Sequence, residues 1–219
     1  MARNTNADTG LSKTLSWLLR HGAVKEGLNV GSDGFLDVQE VVAHSSMKRR
    51  KCSEADILRV VANDQKGRYV TKREEASGRF LIKATQGHSF QVDDLSLREI
   101  SEASDLPRAI HGTYMRFWDK IKVEGLKRMN RYHIHFTSSE VPVNSRTPLH
   151  GQVTSGFRNN CDLLIYVDVP EAMRAGVKFY LSENNVILTS GLDGTLPPRF
   201  LLKAVNRRTG QLLHPPAAN

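Results

Sequence analysis

The chain has 219 residues, 39% of them hydrophobic and 25% charged, with a net charge of +8. That is enough chain to bury a core without staples, in two lobes or one large domain, and the composition excludes overall disorder. Two distant cysteines, Cys52 and Cys161, exclude a disulfide scaffold, and no run of eighteen apolar residues marks a membrane span.

The polar residues 1–10 lack periodicity and read as a mobile N-terminus. Leu11, Leu15, Leu18 and Leu19 recur at helical spacing and predict a helix that stops at Gly22. Asp33-Gly34 is a turn, and Val38, Val41 and Val42 mark a short second helix. Met47-Lys48-Arg49-Arg50-Lys51 reads as a solvated loop or a phosphate contact, more than as a nuclear address. Ser53 caps a third helix whose buried side carries Ile57, Leu58, Val60 and Val61. The period then changes to two: Arg68–Lys72 and Arg79–Lys83 predict strands joined by the loop Glu74–Gly78. Three short helices followed by a β-hairpin is the pattern of a winged helix, a common nucleic-acid scaffold. Fold alone does not fix function.

A polar stretch over 93–109, with Pro107 near its end, separates this from a β-rich second half. The expected strands there are Ile110–Thr113, His133–Phe136, Leu163–Val169, Val177–Leu181 and Val186–Thr189. A helix over Tyr114–Glu124 turns Trp118 and Ile121 inward and ends at Gly125, a shorter one begins near Glu171, and Glu183-Asn184-Asn185 is a hairpin turn.

Three strings place cations and histidines at element boundaries. Arg20-His21 ends the first helix: the guanidinium offers a planar fork for a phosphate, and the imidazole moves a proton near neutral pH. The plainer reading is a pair of cations complementing the helix dipole. Lys83 closes a strand and is followed by Gln86-Gly87-His88-Ser89, which could present donors to a phosphate or form an ordinary solvated turn. Arg131, His133 and His135 alternate, so on a strand they share one face, around an anion, as a buried hydrogen-bonded pair or, least of all, around zinc, for which further ligands are lacking. His111-Gly112-Thr113-Tyr114 joins a strand to a helix and could hold a ribose or diphosphate, with Thr113 as a cap in the simpler view. No GxGxxG, GxxxxGK[ST] or GxSxG string occurs. The residues by themselves therefore describe a basic RNA- or nucleotide-binding protein that handles phosphate.

Taken in order, LSKTLSWLLRHG, DGF at 33–35, IKATQGHS, HGTY, GLKRMNRYHIHF, NVILTSG and LPPRF resemble the NAD-dependent RNA (tRNA) 2′-phosphotransferase family, from about Leu11 to Ala204. The resemblance implies an α+β chain. A winged-helix RNA-binding lobe over 11–105 precedes an ADP-ribosyltransferase-like NAD-binding lobe over 106–206, with a tail over 207–219. It implies transfer of an internal RNA 2′-phosphate, as at a tRNA splice junction, to NAD. The products are nicotinamide, 2′-OH RNA and ADP-ribose 1″,2″-cyclic phosphate. NAD is then a co-substrate and no metal is called for. The expected partners are NAD and 2′-phosphorylated RNA, with no membrane, and the chain is expected to be a monomer inside the cell, in cytoplasm or nucleus.

The family's Arg-His-Arg-Arg catalytic set maps onto Arg20, His21, Lys83 and Arg131. Lys83 departs from the Arg that members more usually carry, and Thr85 from their Asn, so a slower second step is implied. By the same resemblance His111, Gly112, Thr113, His133, His135, Ser138 and Arg158 hold NAD, while Gln86, His88 and Ser89 meet RNA phosphate or NAD. An H-H-aliphatic signature falls on His111, either His133 or His135, and Val186 or Ile187. The alternatives are an RNA-binding module with a weakened catalytic lobe, and an ADP-ribosyltransferase acting on nucleic-acid ends.

Overall fold

The computed structural model describes residues 5–143 and 160–213. The chain is a mixed helix-and-sheet protein that divides into two compact units, Met1–Ser96 and Leu97–Asn219.

In the first unit α1 (Thr5–Trp17) runs into a π-helical turn, Leu18–Gly22, so the helical run does stop at Gly22. It also begins six residues before Leu11, over polar residues read as an unstructured end. Asp8, in its first turn, accepts from Arg59 at 2.9 Å, which ties that turn to a later helix. Leu11, Leu15, Leu18 and Leu19 are all buried, as their spacing requires. Strand β1 (Leu36–Asp37) leads into α2 (Val38–Ala43). Next comes a four-residue helix that periodicity could not reveal, α3 (Ser45–Lys48), whose cap is the His44 ring accepting from the Ser46 amide. Ser53 therefore caps the fourth helix, α4 (Glu54–Ala62), and not the third. Its hydroxyl accepts from the Asp56 amide while the Asp56 carboxylate accepts from the Ser53 amide, a complete capping box. The hairpin is β2 (Tyr69–Arg73) and β3 (Phe80–Ala84), one residue later than expected at each strand, and β3 lies between β1 and β2 in a three-stranded sheet. Leu15, Leu18, Met47, Ile57 and Ile82 close the core of this unit.

The second unit is built on two four-stranded antiparallel sheets. One has the order β4 (Arg98–Ile100), β9 (Phe179–Leu181), β10 (Ile187–Thr189), β7 (Ile134–Phe136). The other runs β13 (Leu212–Leu213), β12 (Leu201–Asn206), β8 (Leu163–Val167), β5 (Ile110–Thr113). A bridge between Ile110 and Thr137, with amide–carbonyl bonds of 2.9 and 3.0 Å, joins them. A separate pair, β6 (Leu126–Lys127) with β11 (Thr195–Leu196), completes the strands. Phe136, Phe179 and Phe200 are fully buried between the layers, each contributing roughly 1.5–3 kcal/mol by leaving water. β4, inside the polar stretch, and β13, inside the expected tail, are too short to show alternation. β8 ends two residues early because Asp168 accepts from the Glu171 amide and starts α6 at Val169, with Pro170 in its first turn. A 3-10 turn at Met115–Phe117 precedes α5 (Trp118–Glu124), which buries Trp118 and ends at Gly125 as expected. Among the described residues, no helix is long and apolar enough to cross a membrane.

Candidate active site

The first constellation lies within the first unit. Widening to a π turn lets the last residues of the helical run close with an Ala23 amide to Leu18 carbonyl bond of 2.8 Å. Such single π turns are frequent at functional sites. Arg20 and His21 sit in this turn and are half-buried. Strand β3 packs against it, and the loop after β3 fastens it. The Ser89 amide donates to the Arg20 carbonyl at 2.9 Å, and the Ser89 hydroxyl lies 3.1 Å from His21 Nδ1. That contact orients the imidazole through Nδ1. Gly87 sits at φ +89°, backbone that glycine adopts readily, in van der Waals reach of the Arg20 side chain.

The strand end and loop are buried, not solvated. Lys83, Thr85, Gln86 and His88 are all 6% exposed or less, which overturns the ordinary-turn reading of this segment. Thr85 is structural, since its hydroxyl donates to the Gly67 carbonyl at 3.0 Å and its amide to that of Arg68. The Lys83 ammonium lies 3.4 Å from the Ser96 hydroxyl and 5.0 Å from the centre of the Phe35 ring. Phe35, within the DGF string, thus carries Lys83 on its face, with Lys72 also over it at 4.0 Å. Neither Phe35 nor Ser96 was singled out as a site residue from the residues themselves. A buried ammonium held by a hydroxyl and an aromatic face is placed where an arriving anion would be strongly stabilised.

The second constellation lies within the second unit. Arg131 and His133 are not on a strand with His135, because β7 begins only at Ile134. The chain before it turns, with Met129 at φ +56° and the Arg131 amide bonded to the Arg128 carbonyl at 3.2 Å, so the expected common face does not form. Arg128 braces that turn. Its guanidinium donates to the Arg131 carbonyl at 2.8 Å and lies over the Tyr132 ring, while its amide donates to the Gly194 carbonyl. Arg128 and Tyr132 face Ser190, Leu192 and Asp193 across an open cleft beside Arg131.

His135, on β7, is buried, and its carbonyl accepts from His111 Nδ1 at 2.9 Å. A carbonyl only accepts, so His111 carries a proton on Nδ1 and donates it there. His133 is instead edge-on to Tyr180, and burial, helped by the charge of Arg128, holds its pKa below the ordinary histidine value. Val186 and Ile187 are both buried beside these strands. Gly112 and Thr113 continue β5, but Thr113 is not the cap. The Met115 amide bonds to the Asp162 carboxylate at 2.7 Å, a partner 47 residues away that no local pattern announces. Ser138 is exposed, and Arg158 lies outside the described residues. Among the described residues no group of three or more His, Cys, Asp or Glu is placed to hold a metal ion.

An arginine and a histidine at the end of a helical run, fastened by Ser89 of the loop that follows the buried Lys83, thus lie together in a basic chain. Comparison with known proteins makes this particular. Residues 6–191 match the model of the family described as RNA 2′-phosphotransferase, Tpt1 / KptA family. The chain is 47% identical over 200 residues to the tRNA 2′-phosphotransferase 1 of Danio rerio, covering 90% of this chain and 85% of the relative. It is 36% identical over 208 residues to the Homo sapiens protein of the same name, covering 94% and 79%. The tRNA 2′-phosphotransferase of Saccharomyces cerevisiae is 36% identical over 203 residues, covering 90% and 84%. The chain belongs to the RNA 2′-phosphotransferase family and is a transferase.

Proposed function

We propose that this transferase moves an internal 2′-phosphate from RNA, as left at a tRNA splice junction, onto NAD. In the first step the RNA 2′-phosphate attacks the ribose C1″ of NAD and the C1″–N bond to nicotinamide breaks, giving a phospho-ADP-ribosylated RNA. In the second step the adjacent 2″-hydroxyl attacks the phosphorus and the RNA 2′-oxygen leaves. The RNA departs with a 2′-OH, and the other product is ADP-ribose 1″,2″-cyclic phosphate.

The observation that carries this reading is the locked arrangement of Arg20, His21 and the segment Lys83–Ser89, together with family membership. Both steps pass through crowded anionic phosphate centres. Arg20, Lys83 and Arg131 stabilise that charge, which is the larger part of phosphoryl-transfer catalysis. His21, oriented by Ser89, takes the 2″-hydroxyl proton and returns it to the leaving 2′-oxygen. The first step depends mainly on holding the two substrates in line. Gln86 and His88 contribute to the RNA or phosphate side with Ser89.

On this reading residues 11–105 are a winged-helix RNA-binding lobe and 106–206 an ADP-ribosyltransferase-like lobe that holds NAD. His111, Gly112, Thr113, His133, His135, Ser138 and Arg158 are the proposed NAD contacts. The bond from His111 to the His135 carbonyl and the burial of His135 favour His135 over His133 as the second member of the H-H-aliphatic signature. The protein then works inside the cell, as a monomer and without a metal.

The test is a two-readout assay with a short RNA carrying one internal 2′-phosphate. Loss of the 2′-phosphate together with nicotinamide release, both dependent on NAD, is the expected result. A stable ADP-ribosylated RNA as the final product would replace this reading with transfer onto nucleic-acid phosphates. Binding of the RNA with no change in it would leave only the RNA-binding module.

A further inference from the structure

The exposed face of α1 carries a row of groups that the proposed chemistry does not use. Trp17 ends the helix and is 45% exposed, unusual for so large an aromatic side chain. Its ring lies against Gly22, where a Cβ would stand 2.8 Å from two ring carbons, so the missing side chain of Gly22 is what seats the indole beside the Arg20–His21 turn. One helical turn earlier, at the positions that neighbour Trp17 on a helix surface, stand Lys13, which is exposed, and Thr14. The Thr14 hydroxyl accepts from Arg50 Nε at 2.9 Å. Arg50 is laid over the helix at Gly10, another glycine whose Cβ would meet it, at 3.1 Å from Nη1. Gly10, Thr14, Trp17 and His21 follow the spacing of a single helix face. Arg50 also belongs to the exposed run Lys48-Arg49-Arg50-Lys51, which among the described residues makes no ion pair with a carboxylate.

From these observations we propose that α1 is a track for the single-stranded RNA flanking the reactive nucleotide. On it a base stacks on Trp17, and neighbouring backbone phosphates sit on Lys13 and Arg50. An aromatic face beside cations is what sequence-tolerant single-strand binding uses, since every base has a π-face and every nucleotide a phosphate. The track from Gly10 to His21 is about 16 Å long at the helical rise, room for roughly five nucleotides at about 3.4 Å each when stacked. This rests on the reading of Arg20 and His21 as the place where the 2′-phosphate reacts.

The test compares wild type, Trp17→Leu and Trp17→Tyr on 2′-phosphorylated RNA. It also measures direct binding of 2′-OH RNA, with an intact or an abasic nucleotide next to the junction. Trp17→Leu keeps an apolar group over Gly22 but no stacking face, and is expected to raise KM for RNA and the RNA Kd about tenfold. The KM for NAD and kcat at saturating RNA stay within twofold, and Trp17→Tyr restores RNA binding to within threefold. With the abasic RNA the difference between Trp17→Leu and wild type should vanish. Lys13→Ala with Arg50→Ala should lower the slope of log affinity against log salt by about 1.4, two phosphates at about 0.7 each. Unchanged RNA affinity in Trp17→Leu, or a loss that persists with the abasic RNA, overturns the track. Absence of turnover by wild type would instead strike at the catalytic reading, and the binding comparison would still decide this one.

Discussion

Replacing Lys83 by Met removes one charge and little else. Lys83 is 2% exposed, and its ammonium lies near the Ser96 hydroxyl and over the Phe35 face. Met keeps the volume of the methylene stem, so the fold should tolerate it at a cost below about 1.5 kcal/mol. On the proposed mechanism, what is lost is a preorganised positive charge where phosphate charge builds up. Removing one such donor costs about 10²–10³ in rate, roughly 2.7–4 kcal/mol. The loss should fall mainly on the second step, in which the phosphorus itself is attacked. In a single-turnover assay with end-labelled RNA, the phospho-ADP-ribosylated RNA should then accumulate, whereas wild type passes through it. Lys83→Arg, which supplies a bidentate fork, should speed the second step and remove any trace of adduct. A second-step rate for Lys83→Met within fivefold of wild type, in a protein that melts normally, would refute the role given to this charge.

Gly87→Ala places a Cβ at φ +89°, and should cost about 1–3 kcal/mol, visible as a lower melting temperature, with Gly87→Asn less harmful because Asn tolerates left-handed backbone. Ser53→Ala opens the capping box of α4 and should cost about 1 kcal/mol by denaturant titration, with activity retained. The same box holds the Asp56 carboxyl down at about 2, so its stabilisation is present above the usual carboxylate range near 3.8 and is lost as pH falls through about 2. His133 acts in the same direction, nearer neutrality. Its folded pKa lies below the 6.5 of the unfolded chain, so the unfolded state takes up more protons as pH drops, and stability declines below about pH 6.5 until the folded value is passed. His133→Gln should flatten that decline in melting temperature between pH 7 and 5, and an unchanged slope would contradict the assigned cause.

The elements legible in the sequence are those whose burial repeats along the chain. The leucines of α1, the Ser53 cap and the Ile110–Thr113 strand stand where spacing and local hydrogen bonding put them. The ones that escaped are held by distant partners. β13 exists because Ala204 and Val205 offer it an edge, and α3 is four residues resting on a histidine cap. Met115 is capped by an aspartate across the sheet. The site shows the same division. Arg20, His21 and the buried loop Gln86–Ser89 were visible as cations and histidines at element ends. The face assigned to Arg131, His133 and His135 was not formed, because alternation speaks only for residues that are in a strand, and the brace by Arg128 holds the first two in a turn. Nor could spacing show that Phe35 lies under Lys83, since β1 and β3 are brought side by side only by the sheet.

The most direct test of the central claim is turnover of one defined substrate. Purified protein is mixed with an RNA carrying a single internal 2′-phosphate, with and without NAD, and the RNA and nucleotide products are resolved. The account predicts 2′-OH RNA, nicotinamide and ADP-ribose 1″,2″-cyclic phosphate in equal amounts, and only when NAD is present. RNA that keeps its 2′-phosphate under those conditions, or loses it equally well without NAD, would contradict it.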